Sequence, residues 1–330
     1  VYTIQVPTDD AETLNNAFQV LEDWAGYATL DAEEVDKERG VIVEEWRLRQ
    51  QTASGRIREE TLPFILGDSR YSDRRPIGDM DIIRTAPAET LRRYYEDWYR
   101  PDLMSVIAVG DFDVDVVEDL ITQHFSDLPS PAEPPSRLSY ELPEHEDTRY
   151  LVVGDPEETT TRLQFIRKRP AASIQTLADA REDVTTDLFY NMLNERLNEI
   201  AREADAPFLS AGAGAGTLIR TAQGDFISTQ LREEDILGGL DAIVTEVERA
   251  RRHGFGAGEL ERAKEKLLNT YERRYNERDN TASNSYANQY LKHFLEGESI
   301  PSIETVFDLV QELLPAITPE EVNEKAAGLV

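Results

Sequence analysis

The sequence predicts an α+β protein of two domains, each an antiparallel sheet with helices layered on one face. Three observations carry that expectation. One order of elements (strand, helix pair, strand, helix) can be read twice along the chain, and helices outnumber strands. Between the two copies lies LPSPAEPPSR at 128–137, where closely spaced prolines and no apolar period mark an extended connector. We place domains at 1–130 and 138–330 with a linker at 131–137. A doubly wound α/β fold would need strict strand-helix alternation, which is missing.

VYTIQVP opens as a strand that Pro7 stops, and Thr8 or Asp9 caps a helix over AETLNNAFQVLEDWA, where Leu14, Phe18, Leu21 and Trp24 recur at helical spacing. A second capped helix starts near Asp31 and runs through DAEEVDKERGVIVEEWRLRQQ. IREETLPFILGD follows, then SRYSDRRPIGDMD with the punctuation of a surface loop. TAPAETLRRYYEDWY is an N-capped helix ended by Arg100 and Pro101; MSVIAVGDFD reads as a buried strand, and VDVVEDLITQHF as the helix after it. Beyond the linker, RYLVVGD and TRLQFIRKR are strands and LADAREDVTTDLFYNMLNERLNEIARE is a long amphipathic helix. AGAGAGTLI with GDFISTQLR forms a small-residue hairpin. Helices follow at ILGGLDAIVTEVERARRHG, GELERAKEKLLNTYERRYN, SNSYANQYLKHFLEG and SIETVFDLVQELLPAI, and another begins at Pro319.

Composition narrows the function classes. With 35 basic and 65 acidic residues the net charge is −30, so nucleic acid and anionic membrane surfaces are repelled over most of the molecule, whereas cationic or unfolded peptides are not. Lysine stands only at 37, 168, 264, 266, 292 and 325; the remaining positive charge is arginine. Acid-rich, lysine-poor surfaces suit high salt, which screens self-repulsion. The absence of cysteine excludes disulfides and thiolate metal sites and leaves the compartment open. No apolar run reaches the length of a membrane span.

On a helix, Glu38, Val41, Ile42 and Glu45 share one face, because offsets of three, four and seven residues return to the same side. Two carboxylates thus project from the side that Val41 and Ile42 would bury. A buried carboxylate needs a hydrogen-bonded partner, a cation or a metal. Periodicity alone leaves two readings open: glutamates satisfied by arginines at a helix interface, or a functional site. GAGAG at 212–216 lacks the Gly-Lys-Ser/Thr of a phosphate loop and is better explained by close strand packing. His124 reads as a capping or core histidine.

The string DAEEVDKERGVIVEEWR resembles the segment of insulinase/pitrilysin-type zinc metallopeptidases in which two glutamates stand in the pattern E-x-x-x-x-x-x-E. Further likeness runs through RRPIGDMDII (74–83), YYEDWYRPDLMSVIAVGDFD (94–113) and HFSDLPSP, covering most of the first 131 residues. From residue 138 onward only the order of strands and long helices is similar to the family's second, non-catalytic homologous domain. The resemblance implies a mitochondrial-processing-peptidase-like fold, a Zn2+ cofactor, Glu45 as metal ligand and Glu38 as a residue supporting the site. It also implies an upstream H-x-x-E-H motif that supplies two histidine ligands and the general base.

None of His124, His145, His253 and His293 stands in that motif, and the family places it further before the glutamate than the 44 residues available here. On this resemblance the motif would lie before Val1, no catalytic residue belongs to this chain, and the chain alone is inactive. The implied function is part of a zinc metalloendopeptidase acting on unfolded peptides or small proteins, its partners being a missing N-terminal segment and a second homologous half. The alternative is a non-catalytic partner subunit that helps enclose the peptide; a structural assembly protein is a third reading. The acidic surface generates a prediction of its own: the melting temperature rises from low to molar salt as repulsion is screened, which a thermal scan across sodium chloride concentrations checks.

Overall fold

The computed structural model describes residues 1–232 and 235–328, and the chain divides into two compact units, Val1–Asp155 with Ser283–Leu291 and Pro156–Ala282 with Lys292–Val330. The first unit contains α1 (Ala11–Gly26), α2 (Ala32–Gln50), α3 (Ala53–Leu66), the short α4 (Arg70–Asp73) and α5 (Met80–Thr85), α6 (Ala88–Trp98), a 3-10 turn at Pro101–Leu103 and α7 (Val114–Phe125). The second contains β1 (Thr161–Pro170), α8 (Leu177–Ala201), β2 (Phe208–Ile219), β3 (Ala222–Leu231), α9 (Ile236–His253), α10 (Ala257–Asn276), α12 (Ile303–Ala316) and α13 (Pro319–Glu324). The chain passes from the first unit to the second at Asp155/Pro156, returns at the start of α11 (Ser283–Glu296) and leaves again within that helix, after Leu291. The architecture is α+β: many helices with one small antiparallel sheet.

That sheet has the order β1-β3-β2, with Phe165 opposite Ile227 and Ile227 opposite Ala213. One face carries the core. From α8, Leu188, Phe189, Leu193 and Leu197 are almost completely buried, together with Phe208, Ile227, Ile243 and Val247. Each such side chain contributes about 1.5–3 kcal/mol through burial. The expected small-residue hairpin is β2–β3, and GAGAG lies inside β2 as strand and not as a phosphate loop. Its small side chains let α8 reach the strand's backbone: Asn194 donates to the Ala213 carbonyl at 2.9 Å and accepts from the Ala213 amide at 2.7 Å. Gly239 gives α9 the same kind of access, since a Cβ there would lie 2.3 Å from Cδ2 of Leu231 and 3.1 Å from the Pro207 carbonyl oxygen.

Buried charges in this unit are paired. Asp225 accepts from Tyr190 Oη at 2.8 Å, Arg167 Nε at 2.8 Å and Arg169 Nε at 3.2 Å. Burial, with the Asp225 carboxylate beside it, pushes the Tyr190 hydroxyl well above its ordinary range and so keeps it a donor. Arg196 forks onto Glu259 at 2.6 and 2.9 Å, reaches the buried Glu246 at 3.1 Å and covers the Phe255 ring at 4.3 Å.

The first unit departs from expectation. Among its described residues no strand forms: VYTIQVP, MSVIAV and RYLVVGD, all expected as strands, lie in irregular, unpaired segments. A strand exists only through its ladder, and among the described residues no neighbour supplies one to these segments. The expected loop at 69–81 contains the short α4 and the start of α5, and Asp10, in place of Thr8 or Asp9, caps α1 by accepting from the Thr13 amide. His124 is a core residue of the last turn of α7, its Nδ1 2.6 Å from Glu22.

Residues 128–160 hold neither helix nor strand, and the compact units part at Asp155/Pro156, beyond the proline-rich 131–137. Segment 138–155 stays with the first unit through Arg56, which forks onto Asp155 at 2.6 and 2.8 Å. Arg149 over Phe64 and Arg70 over Tyr140 add cation–π contacts. Because α8 carries the core, Leu193→Ala is expected to cost about 2–5 kcal/mol, whereas Leu237→Ala at an exposed position stays within about 0.5 kcal/mol. Urea titration of the two variants measures the contrast.

Candidate functional site

Helix α2 carries both glutamates singled out by sequence. Glu33 and Glu34 lie in its first turn and Arg47 and Arg49 in its last, the arrangement that complements the helix dipole. Its inward stripe is Val35, Arg39, Ile42 and Trp46, with Val35 the buried residue. Arg39 fastens the helix by donating to the Ile83 and Ala86 carbonyls at the end of α5, while its Nε pairs with Asp36 at 2.9 Å.

Glu38 and Glu45 stand on the shoulder of that stripe and are exposed. They share a face with Val41, 60% exposed, and Leu48, 57% exposed. The expectation that Val41 would be buried beside the two carboxylates is therefore corrected: the helix turns Val35 and Arg39 inward and leaves the Glu38–Glu45 face open. Glu45 pairs with Arg49 one turn on, and its side chain is 52% exposed. Glu44, on the neighbouring face, pairs with Arg47 at 2.8 Å. Both are solvent-screened i,i+3 or i,i+4 pairs of small energetic value.

The histidines do not converge on this face. His124 is held by Glu22, His145 Nδ1 lies 2.9 Å from the Asp147 carbonyl oxygen, and His293 Nδ1 lies 2.6 Å from that of Glu298. Among the described residues, no group of three or more His, Asp or Glu side chains is placed to hold a metal ion. One carboxylate paired with an arginine does not meet the donor requirement of a tetrahedral zinc site, so the residues present do not hold zinc by themselves. Sequence reasoning missed one unusual group of the first unit, the buried Arg100, because nothing in its local pattern distinguishes a helix-stopping arginine from a buried one.

A family model described as the peptidase M16 inactive domain matches residues 85–267. The chain belongs to the peptidase M16 family. Within this family it is 32% identical, over all 330 of its residues, to the zinc protease PQQL-like protein of Arabidopsis thaliana, and covers 32% of that protein. It is 27% identical to the probable zinc protease PqqL of Escherichia coli over 98% of this chain and 35% of that one. The chain thus spans about a third of the length of these curated relatives. The crystal structure of the first half of the E. coli periplasmic protease PqqL matches with a TM-score of 0.91 and 26% identity, covering 98% of this chain and 69% of that one.

Membership in the M16 family agrees with the likeness read within residues 31–131, and the inactive-domain match is consistent with a chain that lacks the histidine motif. Zinc belongs to the relatives by name; in this chain Glu38 and Glu45 stand on an open face of α2. We expect the dialysed 330-residue chain to retain well under one zinc per molecule and to show no chelator-sensitive peptidase activity, measured by elemental analysis and a quenched peptide. In the same chain, Glu45→Gln and Glu44→Gln should each shift stability by no more than about 0.5 kcal/mol, since both remove exposed pairs.

Proposed function

We propose that this chain is part of a zinc-dependent metalloendopeptidase. Residues 1–130 would complete its catalytic domain, 131–137 would be the linker, and 138–330 would form the second, non-catalytic domain. The observation that carries the reading is the match over 98% of the chain to the first half of a periplasmic protease. The names of the curated relatives support zinc and peptide hydrolysis. The open α2 face supports Glu45 as the carboxylate ligand, because its side chain is half exposed, held only by Arg49 on the same helix, and flanked by exposed Val41 and Leu48 against which another segment can pack.

In this reading Glu45 gives up Arg49 and supplies negative charge to the metal, while Glu38, seven residues and about two turns earlier on the same face, supplies a hydrogen bond to a neighbouring ligand. The histidine ligands and the general base come from an H-x-x-E-H segment outside these residues, and no catalytic step is assigned to the chain itself. The substrate is an unfolded peptide or small protein, enclosed with a second homologous half. A second reading, a non-catalytic partner subunit, is favoured by the inactive-domain match. The two readings differ in whether the same gene encodes an intact histidine motif.

The test uses the full-length protein. Glu45→Gln should lower zinc content and peptidase activity together by at least about tenfold, since a neutral amide is a poor replacement for an anionic ligand, while Glu44→Gln keeps both. Equal zinc loss in the two variants, or undiminished activity in Glu45→Gln, would overturn the assignment.

A further inference from the structure

Aspartate precedes proline once in this sequence, at Asp155–Pro156, and that bond is where the chain first passes from one compact unit to the other. It lies in the stretch 128–160 that holds neither helix nor strand. An aspartyl-prolyl bond is unusually labile toward acid, for a reason of reach and a reason of leaving group. The aspartate side chain is long enough for a carboxyl oxygen to attack the residue's own backbone carbonyl carbon. The proline nitrogen belongs to a tertiary amide, takes up a proton more readily than an ordinary peptide nitrogen, and departs as an amine.

In the folded chain the attacking group is taken. Arg56, in the first turn of α3, donates from Nε to Oδ2 of Asp155 at 2.6 Å and from Nη2 to Oδ1 at 2.8 Å. Both carboxylate oxygens are thus engaged by one planar fork, the strong geometry of arginine–carboxylate pairing. The guanidinium is itself fixed, because Nη1 donates to the carbonyl of Gln50 at the end of α2 at 3.0 Å. The Asp155 side chain is 8% exposed, so solvent screens the pair little. A carboxylate held this way cannot turn onto its own carbonyl without giving up two charged hydrogen bonds.

We propose that Asp155–Pro156 is a self-cleavage site and that Arg56 holds it inactive. Once the fork opens, a carboxyl oxygen of Asp155 attacks the Asp155 carbonyl carbon while a proton from the medium is delivered to the Pro156 nitrogen. The new C–O bond closes a cyclic anhydride as the C–N bond breaks, and the electron pair of that bond stays on nitrogen. Water then opens the anhydride, which leaves an aspartate C-terminus at 155 and a free amino terminus at Pro156. Acid drives the step by supplying the proton, and loss of the local fold permits it by freeing the carboxylate. The proposal goes beyond the peptidase reading and does not rest on it.

Scission is read in the full-length protein, in acid buffer that preserves the fold, by mass spectrometry of the intact products. A zinc chelator is present throughout, so that peptidase action does not contribute. Arg56→Gln should acquire a new N-terminus at Pro156 about tenfold to a hundredfold faster than the folded wild type, the factor that release of a charged hydrogen bond corresponds to. Wild type unfolded in urea at the same pH should cleave at least as fast as the variant, a comparison that holds even where Arg56→Gln loses its fold. Pro156→Ala, which keeps the fork and removes the tertiary amide, should abolish the cut in urea. A wild type that cleaves as fast folded as unfolded would overturn the proposal, as would the absence of a cut at this bond in urea. So would a folded Arg56→Gln that is no faster than wild type, a cut that persists in Pro156→Ala, or scission seen only when the chelator is left out.

Discussion

A three-stranded sheet has too little side-chain bulk to form a core by itself, and in this protein the shortfall is met by one helix. α8 lays Leu188, Phe189, Leu193 and Leu197 against β3 and β2, whose facing residues include Ala211, Ala213 and Ile227. Because the strand side chains are small, the helix comes close enough for Asn194 to take both backbone bonds of Ala213. That contact blunts the middle of an edge strand that would otherwise offer its amides to another chain. The approach of α9 depends on the same economy of volume at Gly239.

The second unit was largely legible in the sequence. Leu188, Leu193 and Leu197 recur at helical spacing, TRLQFIRKR alternates, and a run of alternating Ala and Gly before GDFISTQLR can only pack as a strand against something close. The ion clusters were not legible. Asp225 meets Tyr190 from 35 positions away and Arg167 from 58, and Arg196 meets Glu259 from 63. Nothing local marks these residues apart from the many solvated acids and arginines of a chain with 65 of the former.

In the first unit the helices followed their patterns while the strands did not. A helix closes its hydrogen bonds within its own segment, so α1, α2, α6 and α7 appear where capping and periodicity put them. A strand borrows its bonds from elsewhere in the sequence, and an alternating segment such as VYTIQVP says nothing about whether a partner is at hand. The site on α2 shows a related limit. Spacing placed Glu38 and Glu45 on one face correctly, yet which face turns inward was decided by Arg39 reaching the carbonyls of Ile83 and Ala86, 44 and 47 residues away.

The order of strands in the sheet has a consequence for synthesis. β1 leaves the ribosome before the other strands, but among the described residues its sheet neighbour is β3 alone, and Thr161 must find Leu231. At about 5–20 residues per second, the 51 residues between the two strands (171–221) take on the order of 2.5–10 s to appear. Throughout that interval β1 is a nascent strand with both edges open. Arg167, Lys168 and Arg169 near its end place three like charges where stray strands would have to pair. Two of those arginines later close on Asp225 of β3, so the charges that keep the waiting strand apart are neutralised by the strand it waits for.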